Sequence, residues 1–453
     1  MNPPFVPIKI LFFLFVTLLL GTSCGSKKKL TKNHNTTSKK IPTTVKEFIE
    51  DSEVFNNSFT GFALYDPEKK KMLYQYDADK YFTPASNTKI FTLYTSLEIL
   101  RDSIPALKYI VKNDSLIFWG TGDPSFLHSK LADNQRVISF LKNRKEQLFF
   151  SSSNFLDKRF GAGWAWDDYP YSFQAEKSPF PIHGNIVLFR SSLDGRKIEV
   201  TPKPFEKLVV NNPKIGGRTA RFQRKESENI FEYNQRPPSK RGLEKEIPFR
   251  YSDDFFVELL SLVSQKNISL LDFEMLLPDS AATLYSVPVD TVYQMMMQKS
   301  DNFMAEQLLL TCSNEVFDTM NTRKMIRFFT KEYFKELPDQ PVWRDGSGLS
   351  RYNLFTPRTM VSILEKIYLK IPEDRIFRIF PTGKKNGTIK NYYAPYVHAK
   401  TGTLSNKHCL SGYVQTKKGK TLIFSFMHNN YVTSSAPLKK EMEKVLHFIH
   451  MKM

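Results

Sequence analysis

The sequence predicts an α+β fold in which helices pack against an antiparallel sheet, interrupted by a long, mostly β insertion. Three observations indicate this fold. Apolar residues alternate with period two in paired segments near both ends of the chain, and helical spacing follows or flanks those segments. Between residues 106 and 283, Pro, Gly, Asn and charged residues separate short apolar runs. At 453 residues, the chain also exceeds one ordinary core, so we expect more than one unit.

The first 43 residues predict export and a membrane anchor. Lys9 precedes an uncharged apolar run, 10–20, which is too short to span a bilayer and is typical of a signal peptide. The following Gly-Thr-Ser-Cys resembles a bacterial lipoprotein box in which Cys24 carries the lipid, with Gly21 where leucine is usual. The alternative is an ordinary cleaved signal that discards Cys24. Residues 25–43 form a polar tether, and we expect a periplasmic, membrane-anchored lipoprotein or a secreted protein.

The chain is basic, with 65 Lys and Arg residues against 46 Asp and Glu residues and a net charge of +19. The sequence carries no zinc-finger, helix-turn-helix or RNP-like motif beside this charge, so we exclude nucleic acid as a partner. A basic surface equally suits an anionic membrane or a cell-wall polymer. The eight histidines lack the spacing of a metal site, and we expect neither a metal nor a cofactor.

The predicted elements divide between two regions. Residues 44–105 and 284–453 are assigned to one domain, and residues 106–283 to the inserted, mostly β region, with a strand over 115–119. The predicted helices of the first domain cover 44–51, 90–100, 289–298, 303–312, 356–369 and a final stripe from Leu438 to Ile449. Its predicted strands cover 58–65, 71–76, 397–403, 408–415 and 421–428.

Ser86 and Lys89 form an S-x-x-K pair at the start of the helix predicted over 90–100. A serine hydroxyl needs a base within hydrogen-bond reach to become a nucleophile, and residues three apart share one face of a helix. The unpaired N–H groups of the first turn also favour negative charge near Ser86. The pair therefore predicts a nucleophile and its base, although an isolated S-x-x-K is common.

Two further motifs make the signal specific. Ser300-Asp301-Asn302 lies at a junction between predicted helices, and Lys400-Thr401-Gly402-Thr403 lies on a predicted strand, where Gly402 would let a ligand come close. Alone, the first is an ordinary helix cap and the second an ordinary strand end. Their occurrence with Ser86 and Lys89 in one exported chain indicates acyl-transfer chemistry.

Together these motifs resemble the low-molecular-mass class C penicillin-binding proteins, which are serine D-Ala-D-Ala carboxypeptidases and endopeptidases. The resemblance runs from about Gly61 to Asn429, and Ser300 stands far from Ser86 along the chain, as in that group and unlike class A β-lactamases. We find no E-x-x-L-N segment that would supply a deacylating glutamate. The resemblance implies a penicillin-binding-protein/serine β-lactamase-like catalytic domain over 44–105 and 284–453. Further matching segments are Gly120–Pro124, Gly163–Asp168, Asp345–Arg351 and Gly387-Thr388.

The resemblance also implies the catalytic roles. Lys89 would take the Ser86 proton as the hydroxyl attacks the D-Ala-D-Ala carbonyl, and Ser300 would relay that proton to the leaving nitrogen. Asn302 would orient the substrate amide and hold Lys89. Lys400 would attract the terminal carboxylate and help to lower the pKa of Lys89.

Substrate contacts follow from the same resemblance. Backbone N–H groups of Ser86 and Thr403, beside Gly402, would form the oxyanion hole, and the Thr401 and Thr403 hydroxyls would bind the carboxylate. A loop carrying Trp164 and Asp167 would receive the amine of the peptide stem. These two residues offer an aromatic wall and a carboxylate.

For that loop, the alternative is a packed pair of tryptophans, Trp164 and Trp166, with solvated aspartates. The implied partners are peptidoglycan stem peptides, with β-lactams as covalent inhibitors. Two other functions stay open: a non-catalytic cell-wall scaffold of the same fold, and a serine β-lactamase or esterase. Cys312 and Cys409 either pair or serve as core residues, and Asp345 is interpreted as a turn-former.

Overall fold

The computed structural model describes residues 42–132, 135–194, 197–238 and 243–453. Cys24, the signal segment and nearly all of the tether lie outside the described residues. Within the described ranges, no helix combines the length and the apolar content needed to cross a bilayer.

The secondary structure matches most of the predicted elements to within two or three residues. The strands are β1 (Phe59–Asp66), β2 (Lys71–Tyr76), β3 (Ser103–Lys112), β4 (Ser115–Gly120), β5 (Gln147–Ser151), β6 (Ile186–Ser191), β7 (Ile198–Thr201), β8 (Val209–Asn211), β9 (Phe222–Arg224), β10 (Phe231–Tyr233), β11 (Leu243–Pro248), β12 (Ile268–Leu270), β13 (Ala282–Pro288), β14 (Val397–Leu404), β15 (Lys407–Gln415) and β16 (Thr421–Asn429). The α-helices are α1 (Val45–Glu50), α2 (Glu53–Asn56), α3 (Thr88–Ile99), α4 (Arg136–Lys142), α5 (Asp253–Ser264), α6 (Val289–Gln298), α7 (Asn302–Phe317), α8 (Thr322–Tyr333), α9 (Pro357–Lys370), α10 (Glu373–Ile379) and α11 (Ala436–Lys452).

A five-stranded antiparallel sheet in the order β14-β15-β16-β1-β2 organises the domain that carries Ser86. Strands from opposite ends of the chain pair at its centre, where Phe62 lies opposite Phe426. Alternate residues face two different cores, because Phe62 packs with α1 and α11 whereas Ala63 packs with α3, α6, α7 and α9. Each fully buried Leu, Ile or Phe side chain contributes about 1.5–3 kcal/mol to folding. The predicted α+β class, an antiparallel sheet covered by helices, is confirmed.

The region between the two halves of this domain contains three further sheets, one of five strands and two of three strands. Their strand orders are β12-β5-β4-β3-β13, β11-β6-β7 and β8-β10-β9. Strands β3 and β13 pair with Leu107 opposite Leu284, so the chain leaves and re-enters the first domain at adjacent strands. Both of the proposed boundaries, after residues 105 and 283, therefore fall inside paired strands, and the division itself stays a prediction.

Helices α4 and α5 lie within the region predicted to be mostly β. Helix α5 begins at a good cap, since the Ser252 hydroxyl accepts from Phe255 N–H at 3.3 Å. Its buried residues Phe256, Leu259 and Leu260 have helical spacing and pack into the core of the insertion. Helices α8 and α10 likewise lie where no element is predicted. Both are rich in charged residues and bury a narrow apolar stripe. In α8 this stripe is Met325, Ile326 and Phe329 at helical spacing, a signal present in the sequence that the prediction missed.

Candidate active site

Ser86 lies in a 3₁₀ turn, Ala85–Asn87, that leads directly into α3. Two glycines allow neighbouring backbone to approach this turn. A Cβ atom on Gly402 of β14 would lie 2.3 Å from the Pro84 carbonyl oxygen and 3.1 Å from Ser86 N, and one on Gly348 would lie 1.9 Å from the Ala85 oxygen. Only glycine fits at these contacts, so β14 and the 345–351 loop clamp the serine turn between them.

Lys89 is completely buried one turn after Ser86, and its Nζ atom contacts three oxygen atoms. Nζ lies 2.9 Å from Ser86 Oγ, 2.6 Å from Asn302 Oδ1 and 2.7 Å from the Ser347 carbonyl oxygen. The amide and carbonyl oxygens can only accept hydrogen bonds. In its neutral form, the Lys89 amine would therefore donate its two N–H groups to Asn302 and Ser347 and point its lone pair at the Ser86 hydroxyl.

A second buried lysine completes the site. Lys400 Nζ on β14 donates to Ser300 Oγ at 2.8 Å and to the Thr401 carbonyl oxygen at 2.7 Å. Asp301 caps α7 by accepting from Met304 N–H at 3.0 Å, so the expected helix cap is present. The cap places Ser300 and Asn302 on either side of the helix start, where each contacts one of the two lysines.

Burial controls the charges of both lysines. It lowers the pKa of Lys89 to about 8, against the opposing effect of the carboxylates of Asp301, Asp345 and Glu306. It also holds the pKa of Lys400 well below its usual range, and the charge of Lys89 adds to that effect. Near neutral pH, Lys89 is thus partly neutral, which a general base acting on a serine hydroxyl requires.

The backbone of the site is strained on both sides of the cleft. Ala85, directly before the nucleophile, has φ of 49°, and Ser300 has φ of 57°. Left-handed conformations of residues with a Cβ atom cost about 1–2 kcal/mol each and cluster at functional sites. At Ala85, the clamp by Gly348 and Gly402 holds the backbone in this conformation.

The 345–351 loop contributes a contact to the site that the sequence did not predict. The completely buried carboxylate of Asp345 accepts from Gly348 N–H at 3.0 Å, Ser350 N–H at 2.6 Å and Asn353 Nδ2 at 2.7 Å. Asp345 is therefore a turn-former, as interpreted, and the turn that it holds presents the Ser347 carbonyl oxygen to Lys89. In the sequence, this stretch carries two signals, a tight turn around Asp345 and the match of Asp345–Arg351 to the resembling family, and neither points to a contact with Lys89.

The mouth of the site is a cavity of about 240 Å³ lined by Ser86, Ser300, Thr401 and Thr403. Other residues, which were not predicted as site residues, also line it. The additional lining residues are Thr388, Ile389, Tyr392, Tyr393, His408 and Lys439. Thr388 Oγ1 lies 2.7 Å from Thr401 Oγ1, and His408 Nδ1 lies 3.1 Å from Thr403 Oγ1. Burial, assisted by the charge of Lys439, lowers the pKa of His408 to about 4, so its ring is neutral at pH 7.

The loop with the two tryptophans joins the site in part. Trp164 is half-buried and its Nε1 donates to Asp345 Oδ2 at 2.9 Å, which links it to the loop that holds Lys89. Trp166 is 77% exposed, so the two tryptophans do not form a packed pair. Asp167 is exposed on the 3₁₀ turn Trp166–Asp168. Further along, the Phe173 carbonyl oxygen accepts from Asn302 Nδ2 at 2.9 Å.

The two cysteines of the domain are separate core residues. Both thiols are free and completely buried; Cys312 Sγ lies 3.7 Å from Ser96 Oγ, and Cys409 Sγ lies 3.7 Å from the Thr83 carbonyl oxygen. The open question of pairing is thus answered in favour of the core. Across the described ranges, His, Cys, Asp and Glu side chains form no group of three that could hold a metal ion.

The chain is similar to one protein family and to several known proteins. The family described as D-Ala-D-Ala carboxypeptidase 3 (S13) matches residues 42–235 and 276–450. The D-alanyl-D-alanine carboxypeptidase DacB of Haemophilus influenzae is 24% identical over 441 residues, covering 86% of this chain and 89% of the relative. The D-alanyl-D-alanine carboxypeptidase of Actinomadura is 23% identical over 449 residues, covering 86% and 81%. The crystal structure of penicillin binding protein 4 from H. influenzae superposes with a TM-score of 0.70 at 20% identity, covering 90% of this chain and 100% of that chain, and therefore shares the fold.

Proposed function

The chain belongs to the D-Ala-D-Ala carboxypeptidase 3 (S13) family, and we propose that the residues assembled around Ser86 carry out the reaction of that family here. The enzyme is a serine D-Ala-D-Ala carboxypeptidase of the low-molecular-mass class C penicillin-binding proteins. One observation supports the assignment of the residues most directly: Lys89 Nζ lies between Ser86 Oγ at 2.9 Å and Asn302 Oδ1 at 2.6 Å. Together these atoms offer a nucleophile, a base and an oriented amide within one cleft.

In the proposed acylation step, Ser86 Oγ attacks the carbonyl carbon between the two D-alanines while its proton passes to neutral Lys89. The tetrahedral intermediate then collapses with cleavage of the C–N bond. The proton moves from Lys89 through the Ser300 hydroxyl to the leaving nitrogen, and terminal D-alanine departs. Water hydrolyses the Ser86 ester by the same route in reverse, which restores the free hydroxyl.

We propose that the backbone N–H groups of Ser86 and Thr403 bind the oxyanion. The support is the close approach of β14 to the serine turn at Gly402. In other serine enzymes, the loss of one such donor costs about 3–4 kcal/mol of transition-state stabilisation. The terminal carboxylate would meet the Thr401 and Thr403 hydroxyls and Lys400, whose charged form an adjacent carboxylate would favour against the effect of burial.

Substrate choice and location are further parts of the proposal. Exposed Asp167, beside half-buried Trp164, would bind the amine of the stem peptide. Cys24 would carry a lipid and hold the enzyme at the periplasmic face of a membrane, where peptidoglycan stem peptides are available. The enzyme would cleave the terminal D-Ala-D-Ala bond. The test below distinguishes this activity from additional cleavage of a peptide crosslink.

The test combines covalent labelling with product analysis. Wild-type enzyme should bind fluorescent penicillin at Ser86 and release D-alanine from stem pentapeptides, whereas Ser86→Ala should do neither and should keep the wild-type melting temperature. Mass spectrometry of a cell-wall digest would separate carboxypeptidase products from crosslink cleavage. A scaffold would show no label, and a β-lactamase would hydrolyse the penicillin rapidly. Persistent labelling of Ser86→Ala would place the nucleophile elsewhere.

A further inference from the structure

Glu306 is a buried carboxylate that the proposed reaction does not use. It lies on α7 one turn after Asn302, so both side chains project from the same face of the helix toward α3 and the 345–351 loop. Only 1% of its surface is exposed, and burying a carboxylate is costly unless its partners compensate. Its Oε1 atom accepts from Ser347 N–H at 2.8 Å. Its Oε2 atom is buried without a hydrogen-bond partner among the described residues.

The backbone of one residue, Ser347, connects Glu306 to the proposed base. Glu306 binds the N–H group of Ser347, and the carbonyl oxygen of Ser347 accepts from Lys89 Nζ at 2.7 Å. The Ser347 carbonyl is one of two acceptors that would hold the N–H groups of neutral Lys89. Anything that shifts Ser347 therefore changes where the lone pair of Lys89 points.

Charged groups from several segments surround Glu306. Burial and, to a lesser extent, Asp345 on the adjacent loop raise the pKa of Glu306 to about 7, and Lys177 opposes both effects. Lys177, which is itself 3% exposed, pairs with Asp157 at 3.0 Å. Three further cations, Lys158, Arg323 and Arg344, line a cavity that Glu306 also lines. Ionised Glu306 in turn raises the pKa of Lys89 on α3.

A second cavity, of about 490 Å³, is lined by Glu306, Lys177, Asp157 and Asp345 and shares no lining residue with the cavity at Ser86. This cavity gives the group around Glu306 its own opening, separate from the substrate cleft.

We propose that Glu306 is a positioning residue for the acyl-transfer reaction. Through the backbone N–H and C=O of Ser347 it orients Lys89. Through its charge it sets the pH range in which Lys89 accepts the Ser86 proton. The proposal rests on Lys89 being the base. A protonated or neutral group at position 306 favours neutral Lys89, whereas an ionised carboxylate favours the ammonium form.

The experiment measures the rate of acylation by fluorescent penicillin against pH in wild type and Glu306→Gln. The amide oxygen of Gln can still accept from Ser347 N–H, but its charge is absent. We expect the acid-side midpoint of the Glu306→Gln profile to move to lower pH by at least about half a unit, because one buried negative charge near Lys89 is lost. Glu315→Gln on the same helix, whose carboxylate lies 3.5 Å from Lys108, is the matched control and should keep the wild-type midpoint.

Coinciding profiles of wild type and Glu306→Gln would overturn the proposal. Glu306→Asp is a second variant, which keeps the charge and withdraws it from Ser347. It should keep the midpoint near that of wild type and acylate at least tenfold more slowly, and an unchanged rate would argue against positioning. Absence of wild-type acylation would instead refute the proposed function, so the two failures are distinguishable.

Discussion

Lys89 Nζ lies 2.9 Å from Ser86 Oγ inside a pocket in which Lys89 is completely buried. Burial lowers the pKa of Lys89 to about 8, so its neutral form gains population as pH rises through that value. We predict that the acylation rate rises with pH up to a plateau above about 8 and falls roughly tenfold per unit below the midpoint. Stopped-flow measurements with a chromogenic β-lactam would show this, and a rate independent of pH between 6 and 9 would exclude Lys89 as the base.

The contact between Gly402 and the serine turn predicts a strong steric effect. Gly402→Ala would place a Cβ atom 2.3 Å from the Pro84 carbonyl oxygen, which is backbone and cannot rotate away. We expect a loss of about 1–3 kcal/mol in the free energy of unfolding and little acylation, because β14 must move away from Ser86. Gly216→Ala is the control, since a Cβ atom there meets nothing within 4 Å. Equal stability of the two variants in urea unfolding would contradict this prediction.

The hydrogen bond from Trp164 to Asp345 should support the loop that holds Lys89. Trp164→Phe removes the indole N–H that donates to Asp345 Oδ2 at 2.9 Å, so the buried Asp345 carboxylate loses one hydrogen bond. We predict a destabilisation of about 1–3 kcal/mol with slower acylation. Trp166→Phe, at a position 77% exposed, should change neither the unfolding midpoint nor the rate. The same effect in both variants would point to a general role of the aromatic loop instead.

Asp167→Asn tests the proposed amine site. Removing the carboxylate should weaken the processing of stem peptides with a free diamino-acid amine by about 1–3 kcal/mol in kcat/KM if the ion pair is well desolvated. Penicillin acylation should change little, because penicillin lacks that amine. The comparison uses paired peptides with the amine free and acetylated. If Asp167→Asn slows both peptides equally, Asp167 supports structure rather than recognition.

Cys24 carries the prediction about location. The Cys24→Ser protein, expressed at full length, should leave the detergent phase in a phase-partitioning assay, whereas the wild-type protein should enter it. The reason is that one acyl chain adds about 0.8 kcal/mol of membrane affinity per buried methylene group. Partitioning that is unaffected by the substitution would mean that a retained hydrophobic segment, and not a lipid on Cys24, binds the membrane.

Local patterns in the sequence determined much of this protein. Short apolar segments predict the strands of the central sheet. Side chains on a strand point to opposite faces, so apolar residues alternate where one face is buried and form a nearly continuous run where both are, as on β15 and β16. The spacing of Ser86 and Lys89 also predicts their contact, since residues three apart on a helical turn are neighbours whatever surrounds them. The motifs at Ser300 and Lys400 indicate the family. In the folded protein they lie in the same cleft, with Lys400 Nζ 2.8 Å from Ser300 Oγ.

Tertiary structure alone decided the contacts between segments that are distant in sequence. The Ser347 carbonyl oxygen reaches Lys89, and Lys400 reaches Ser300, only because the loop, β14 and the start of α7 pack against one another. Backbone atoms such as the Ser347 oxygen carry no residue signature, so a motif search cannot find them. The separation of Cys312 from Cys409 and the depressed pKa of Lys89 also depend on burial in the assembled core. Burial is a property of the whole fold, whereas the sequence pattern of a segment reports only its neighbours along the chain.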